Sequence, residues 1–544
     1  MPSLPKSALC VKRDPPALRG IYIPVKISAF LEMTMPLDAP LDPLRPDLTL
    51  GVAGTGIMGR GIAQIAAQAG VKVLLYDTRA EAAPAARDYI AGTFAKLVEK
   101  GKLGAEAAER AVGNVEVANA LPALSGCHLV IEAIVEDLEA KRGLFAQLEA
   151  MVSEACILAT NTSSLQVSSV ACGCKHPERV AGYHFFNPVP LMKVVEVIEG
   201  IMTAPWVGDA LTGLARRMGH KPVRAKDTPG FIVNHAGRGY GTEALRIISE
   251  GIADFCEIDR ILREGAGFRM GPFELLDLTG LDVSHPVLES IYNQYYQEPR
   301  YRPSPITGQR LAAGLIGRKV GRGFYRYEAG TQEKMPLAAV PSARPARVWV
   351  SSRDLGARLR ELVAKLGAPL DTGAAPAADS LCLVAPLGHD TTTAALAEGL
   401  DPARTLAVDC LFPLEKRRTL MTTPVTLVQM RDAAHGLLAS DGVPVSVIHD
   451  SPGFVVQRVI AHIVNIACDI AQQRIASAQD IDTAVTLGLG YPMGPLAWGD
   501  ALGPERILAV LQALHVFYGD PRYRASPWLK RRVLLGVSLS TAEA

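Results

Sequence analysis

Residues 48–77, LTLGVAGTGIMGRGIAQIAAQAGVKVLLYD, constrain this chain more than any other stretch. Apolar Leu48, Leu50 and Val52 run into Gly54-Thr55-Gly56-Ile57-Met58-Gly59, and a helical run from Ile62 to Ala69 follows. Gly70 ends that helix, and a second apolar strand closes on Asp77. Strand, glycine turn, helix and strand in this order form the phosphate-binding unit of a doubly wound sheet. Gly54 makes the tight turn, Gly56 lets the backbone approach a pyrophosphate, and Gly59 lets the helix lie close on the strand. Ile57 and Met58 open the helix whose N–H groups face the anion. Asp77 is placed to accept hydrogen bonds from an adenosine ribose 2′-OH. It would repel a 2′-phosphate, so NAD is expected over NADP, with Arg79 alone pulling the other way.

At 544 residues the chain is long enough for about three domains, each with its own core. A net charge of +1 with 20% charged residues leaves no electrostatic footprint for nucleic acid or a membrane surface. Nine cysteines without a CxxC pair argue against a disulfide framework and against a metal site, and fit a reducing cytoplasm. No apolar run approaches the length of a membrane span. Residues 1–46 are proline-rich with scattered basic residues, and lack the apolar core of a signal peptide. They are expected to be a flexible extension or the product of a start placed too early, with Met33 or Met35 the true one.

In an open α/β sheet, ligands bind beyond the C-terminal ends of strands. The strand at 129–133 leads to Glu136 and Lys141, and the strand at 157–160 leads to Asn161 and Ser163, so all four are candidates by position. His184 closes a further short strand among aromatics. A lone histidine there is ordinarily a core residue, but Lys193-Val194-Val195-Glu196-Val197-Ile198 carries one carboxylate within an apolar strand. A buried glutamate needs a partner. An imidazole oriented by a carboxylate beside a nicotinamide is the equipment of an alcohol dehydrogenation.

Five motifs then occur in order: NTSSLQVSSVA (161–171), HFFNPVPLMKVVEV (184–197), DTPGFIVNH (227–235), MGPFELLDLTGLD (270–282) and GRKVGRGFYRY (317–327). Together they resemble the NAD-dependent L-3-hydroxyacyl-CoA dehydrogenase family. The resemblance implies that His184 is the general base and Glu196 its partner. It implies that Ser163 and Asn234 hydrogen-bond around the substrate 3-oxygen and carbonyl. It also places Glu136, Lys141 and Asn161 on the nicotinamide side and makes Lys319 a late cofactor contact. The substrate implied is an acyl-CoA thioester. Where the family usually has Arg after the Asn, this chain has His235, and a change of local packing or of the acyl pocket is expected.

The C-terminal half reads as a worn duplicate. DSPGFVVQR at 450–458 repeats DTPGFIVNH at an offset of 223 positions, which also carries Met270-Gly271-Pro272 onto Met493-Gly494-Pro495. Asn234 becomes Gln457 and no second catalytic histidine stands nearby, so this copy is expected to be structural. The expected organisation is an extension (1–46), an NAD-binding Rossmann domain (47–226) and a helical C-terminal domain (227–329). A linker (330–346), a degenerate Rossmann-like α/β segment (347–449) and a second helical copy (450–544) follow. In it Asp409 is expected opposite His184. Helices are expected at 230–251 and 258–265, and insert strands at 347–350, 380–384, 405–409 and 425–428. The duplication suggests a pseudo-dimer within one chain and leaves a further homo-oligomer open. Over its whole length the chain resembles bacterial 3-hydroxyadipyl-CoA dehydrogenases of phenylacetate degradation, while related 3-hydroxybutyryl-CoA enzymes share the first half. An adipyl tail would want a cation, for which Arg238, one turn beyond Asn234, is a candidate.

Overall fold

The glycine-rich unit folds as its spacing requires in the computed structural model, which describes residues 41–543. Strands β1 (Thr49–Ala53) and β2 (Lys72–Tyr76) lie parallel, joined by the helix Ile57–Gln68. The sheet continues through β3 (Val115–Val117), β4 (Leu129–Glu132), β5 (Ile157–Thr160), β6 (Val180–Phe185), β7 (Val194–Glu199) and β8 (Lys221–Lys226). Its order is β3-β2-β1-β4-β5-β6-β7-β8. The chain reverses only between β6 and β7, which pair antiparallel; β7 and β8 then run parallel. Short apolar runs such as LVIE and ILAT are buried along their whole length, as expected for strands covered on both faces.

Most of the anticipated extension, 1–40, lies outside the described residues. Its last residues are fastened to the domain. Arg217 donates to the carbonyls of Pro43 and Arg45 at 2.9 Å each, and Pro43 packs on Gly213 so closely that a Cβ there would meet it at 2.4 Å.

The helical region opens later than the sequence suggests. Gly230 and Phe231 both have positive φ, 76° and 49°, and the turn they form delays the first helix to Val233–Ala236, followed by Arg238–Ser249. Phe255–Arg260 runs on into Ile261–Gly265. A hairpin of β9 (Tyr327–Glu328) and β10 (Thr331–Gln332) ends the first copy.

A second sheet follows, built from β11 (Val348–Val350), β12 (Leu370–Asp371), β13 (Leu381–Val384), β14 (Thr405–Val408), β15 (Arg418–Met421) and β16 (Val445–Ile448). Its order is β12-β11-β13-β14-β15-β16, with β14 and β15 antiparallel. This repeats β4-β5-β6-β7-β8 of the first sheet, including the single reversal. The strand in the place of β1 is β12, which is two residues long and comes after β11 in the chain. The glycine-rich unit therefore has no counterpart. A strand expected at 425–428 is absent: Val425 is exposed, and the helix Val428–Leu438 begins there. The strand is instead β15, which starts with an arginine.

The second helical copy centres on Val456–Gln472, buried through residue 471. It is buried on every side even though Arg458, His462, Asn465 and Asp469 form a polar stripe along it. Three of these polar residues pair across the packing: Arg458 with Glu243, Asn465 with the Arg524 carbonyl and the Ser526 amide, and Asp469 with Arg300. It crosses Arg238–Ser249 so closely that a Cβ on Gly239 would stand 3.1 Å from Ile463 Cα.

Candidate active site

A cleft of about 930 Å³ opens beyond the C-terminal ends of β1, β2 and β4, lined by Gly54, Gly56, Asp77, Val135 and Glu139 among others. Its glycines are required for different reasons. Gly54 has φ +94°, and a Cβ on it would lie 2.6 Å from the Ala133 carbonyl. On Gly59 a Cβ would lie 1.9 Å from the Gly54 carbonyl, so this glycine sets the approach of helix to strand. Gly56 is different, because nothing in the protein lies within 4 Å of where its Cβ would be. The protein would tolerate a side chain there; the bare backbone leaves the space free at the helix N-terminus, which is what a pyrophosphate needs. Ile57, at 60% exposure, and half-buried Met58 form the first turn over it.

Asp77 Oδ2 accepts from the Thr55 amide at 2.9 Å and its hydroxyl at 3.0 Å, and Oδ1 accepts from the Arg79 amide at 3.1 Å. Burial would raise its carboxyl, but these hydrogen bonds hold it below the usual range. An ionised Asp77 held at the end of β2 suits a ribose diol. The exposed Arg79 guanidinium pairs with that same carboxylate at 3.3 Å. Cleft, glycines and acid all fit NAD.

Ordering of the loop after β5 depends on three charged residues. Lys141 is fully buried, its ammonium 2.6 Å from Glu132 and 3.2 Å from Glu136. Glu136 Oε1 accepts from the Thr162 hydroxyl (2.6 Å) and from the amides of Ser163 (3.0 Å) and Ser164 (3.1 Å). Burial alone would raise the Glu136 carboxyl; Lys141 and these donors hold it below the usual range. Asn161 Oδ1 accepts from the Phe185 amide at 2.8 Å, joining the ends of β5 and β6. Glu132, fully buried at the end of β4, completes this cluster and was not singled out from the sequence. An acid ending an otherwise apolar strand was the available signal.

His184 and Glu196 are register partners across β6 and β7, so their side chains share one face. Nδ1 of His184 lies 2.6 Å from Glu196 Oε2, and both residues are buried. Glu196 Oε1 accepts from the amides of Ile232 and Val233 at 2.9 Å each. The positive-φ turn at Gly230-Phe231 aims these N–H groups, so the helical copy orients a carboxylate of the sheet. Phe186 and Phe231 wall the imidazole at ring-centroid distances of 4.4 and 5.9 Å. With Nδ1 engaged, Nε2 is the nitrogen left to exchange a proton with a ligand. Asn234 Nδ2 donates to the Ser163 carbonyl at 3.3 Å, bringing those two candidates together across the domain junction. Lys319 is set apart: it pairs with Asp282 at the start of the helix Leu281–Gln294 and does not line the cleft.

The corresponding place in the second copy is closed. Continuing the register Val408↔Leu420 by one residue sets Asp409 opposite Thr419, where the first copy has His184 opposite Glu196. Gln457 Nε2 donates to Asp409 (2.9 Å) and to the Pro386 carbonyl (3.2 Å). The second of these parallels the bond from Asn234 to the Ser163 carbonyl, since both reach a carbonyl in the loop beyond the corresponding strand. Geometry survives there, without an imidazole and without a glycine loop.

A model of the 3-hydroxyacyl-CoA dehydrogenase NAD binding domain matches residues 49–228, and that of the C-terminal domain matches both 230–327 and 453–541. The 3-hydroxyadipyl-CoA dehydrogenase of Escherichia coli (strain K12) is 41% identical over 492 residues, 90% of this chain and 98% of that protein. Human mitochondrial hydroxyacyl-coenzyme A dehydrogenase is 39% identical over 283 residues, 51% of this chain and 90% of its own length. Among solved structures, a 3-hydroxybutyryl-CoA dehydrogenase from Escherichia coli K12 aligns with a TM-score of 0.81 at 38% identity, covering 90% of this chain and 98% of that one.

Proposed function

This chain belongs to the 3-hydroxyacyl-CoA dehydrogenase family, and on that premise we propose that it oxidises (S)-3-hydroxyadipyl-CoA to the 3-oxoacyl thioester in phenylacetate catabolism. The observation that carries the chemistry is the buried His184–Glu196 pair. His184 Nε2 takes the proton of the 3-hydroxyl, and Glu196 stabilises the imidazolium that forms. Because Glu196 is fixed by two backbone amides, the ring is held in one orientation throughout. Ser163 and Asn234 hold the substrate oxygens, while Glu136 and Lys141 keep the Ser163 loop in place. NAD, when bound, accepts the hydride from C3.

The adipyl assignment is supported by the similarity to the Escherichia coli 3-hydroxyadipyl-CoA dehydrogenase, which spans both copies. A short-chain reading, 3-hydroxybutyryl-CoA, is favoured by the name of the solved structure that aligns over 90% of the chain. Steady-state kcat/KM with NAD on both thioesters, for wild type and His184→Ala, separates them. We expect a preference for the adipyl substrate, and a loss of about 10²–10⁴-fold in His184→Ala on either. Equal rates on both would make the enzyme a general short-chain dehydrogenase, and an active His184→Ala would remove His184 as the base.

Two further readings accompany this one. The crossing of Arg238–Ser249 with Val456–Gln472 supports a pseudo-dimer, in which the second helical copy covers the face a twin subunit would otherwise cover. A cytoplasmic location is supported by the eight described cysteines, all of them free thiols.

A further inference from the structure

One polar cluster beside the active-site helix is contributed by both copies and has no part in the steps above. Arg238 lies one turn beyond Asn234, and its Nε donates to the Asn234 carbonyl at 2.7 Å. That bond fixes a half-buried guanidinium next to the amide that faces the substrate. Burial pushes Arg238 down to about 10, and no carboxylate opposes it; the one group that raises it is the Tyr491 phenol. A desolvated cation without an anion is costly.

Tyr491 comes from the second copy. Its neighbours press on the active-site helix: a Cβ on Gly488 would stand 2.9 Å from Val233, and one on Gly237 would stand 3.3 Å from Leu489. The Tyr491 ring packs on Tyr240 and Phe268, with centroids at 5.7 and 5.0 Å. Its hydroxyl is buried and has no hydrogen-bond partner among the described residues. A cation lacking an anion and a buried donor lacking an acceptor stand together here. A carboxylate would satisfy both.

The repeat supplies an internal control. The offset of 223 carries Arg238 onto Ala461 and Phe268 onto Tyr491, so the related pair at the closed site is Ala461 with Phe268. Neither can bind an anion. Packing at this place is satisfied by an apolar pair, yet the polar pair occurs only beside His184 and Glu196.

We propose that Arg238 and Tyr491 bind the far end of the acyl chain when that end is a carboxylate, the guanidinium as counter-ion and the phenol as a second donor. This rests on the dicarboxylic substrate reading above and gives it residues. Four helical positions separate Arg238 from Asn234, about 6 Å of rise. The terminal carboxyl carbon of an adipyl thioester is three bonds beyond the reacting C3, a shorter span that the long Arg238 side chain, held against the Asn234 carbonyl, makes up. The second copy would then be a structural support that also supplies a specificity residue to the live site.

The test is the ratio of kcat/KM for 3-hydroxyadipyl-CoA over (S)-3-hydroxybutyryl-CoA, measured on wild type, Arg238→Met and Tyr491→Phe. A hydrogen bond to a charged group is worth about 1.5–3 kcal/mol, or about 10–100-fold. We expect the ratio to fall about 100-fold in Arg238→Met and about tenfold in Tyr491→Phe, through KM for the adipyl thioester. A purely structural role would move both substrates together and leave the ratio in place, which would overturn the proposal. Tyr491→Phe restores the residue the repeat already carries at 268, so it remains decisive if Arg238→Met folds poorly. A wild type with no preference for the dicarboxylic thioester would sink the substrate reading itself, and that is seen before any variant is made.

Discussion

His235 stands where the repeat, at 458, carries an arginine, and the difference is one of available carboxylates. Arg458 is fully buried and engages Glu243, Glu250 at 2.7 Å and the Tyr518 hydroxyl at 2.9 Å. The offset of 223 carries Glu243 onto Ile466 and Glu250 onto Gln473, so an arginine at 235 would have neither acid. His235 instead meets the hydroxyls of Tyr301 at 2.6 Å and Tyr295 at 3.0 Å. Burial, then Arg238 and Arg300, push it down to about 3, which keeps the imidazole neutral. His235→Arg should therefore lose about 3–5 kcal/mol in urea denaturation, the cost of an uncompensated buried charge. Adding Ile466→Glu should recover part of the loss; an unperturbed single variant would refute this account. The sequence marked His235 as a departure, but its explanation lies in residues more than 200 positions away.

Among the elements, strands of the first sheet were legible because each is a short apolar run ended by a polar turn. The second sheet was only partly so. Arg417 and Arg418 read as loop residues, yet both are buried at the start of β15, paired with Glu264 (2.9 Å) and Asp441 (2.7 Å). No local pattern announces such partners. Val425, which follows a proline, looked like strand and is exposed. The closed site in this sheet keeps one titratable relic. Asp409 is raised to about 6, chiefly by burial, with Gln457 and the Leu411 amide opposing, and its Oδ2 has no partner among the described residues. An acid whose folded-state pKa is raised destabilises the fold increasingly as pH climbs from its unfolded value near 4 to about 6, and by a constant amount above. Asp409→Asn should accordingly be more stable than wild type by roughly 3 kcal/mol at pH 7.5. Near pH 4 the difference should shrink toward zero. Urea melts at the two pH values check this; a difference independent of pH would contradict it.

For the whole molecule, the decisive feature is that the second copy keeps the helices of the first but has neither its imidazole nor its glycine loop. Removing residues after 345 would uncover the face of Arg238–Ser249 that now meets Val456–Gln472. The truncated protein should be poorly soluble or newly dimeric in sedimentation velocity, whereas a soluble, active monomer would count against the pseudo-dimer. If it dimerises as the repeat suggests, the partner would present Phe268 in place of Tyr491. The adipyl preference should then weaken along with the change in oligomeric state.

Read alone, the sequence determined the cofactor from spacing and the reaction class from the family it resembles, and it nominated the residues for the chemistry. These depend on local spacing: a glycine turn of fixed length, an acid at a strand end, and motifs that a short-range turn or cap requires. It also showed the duplication, because an offset of 223 persists through the two helical copies, from Asp227 and Asp450 to Met270 and Met493. Only the tertiary structure decided what those residues do together. Glu132 joins Lys141, two amides at a helix start fix Glu196, Arg458 takes both glutamates of the other copy, and Tyr491 packs on Tyr240 and Phe268 of the first copy. Most of these join groups far apart along the chain, brought together by packing. A buried charge is tolerated only beside its partner, and the distance along the chain says nothing about where that partner will be.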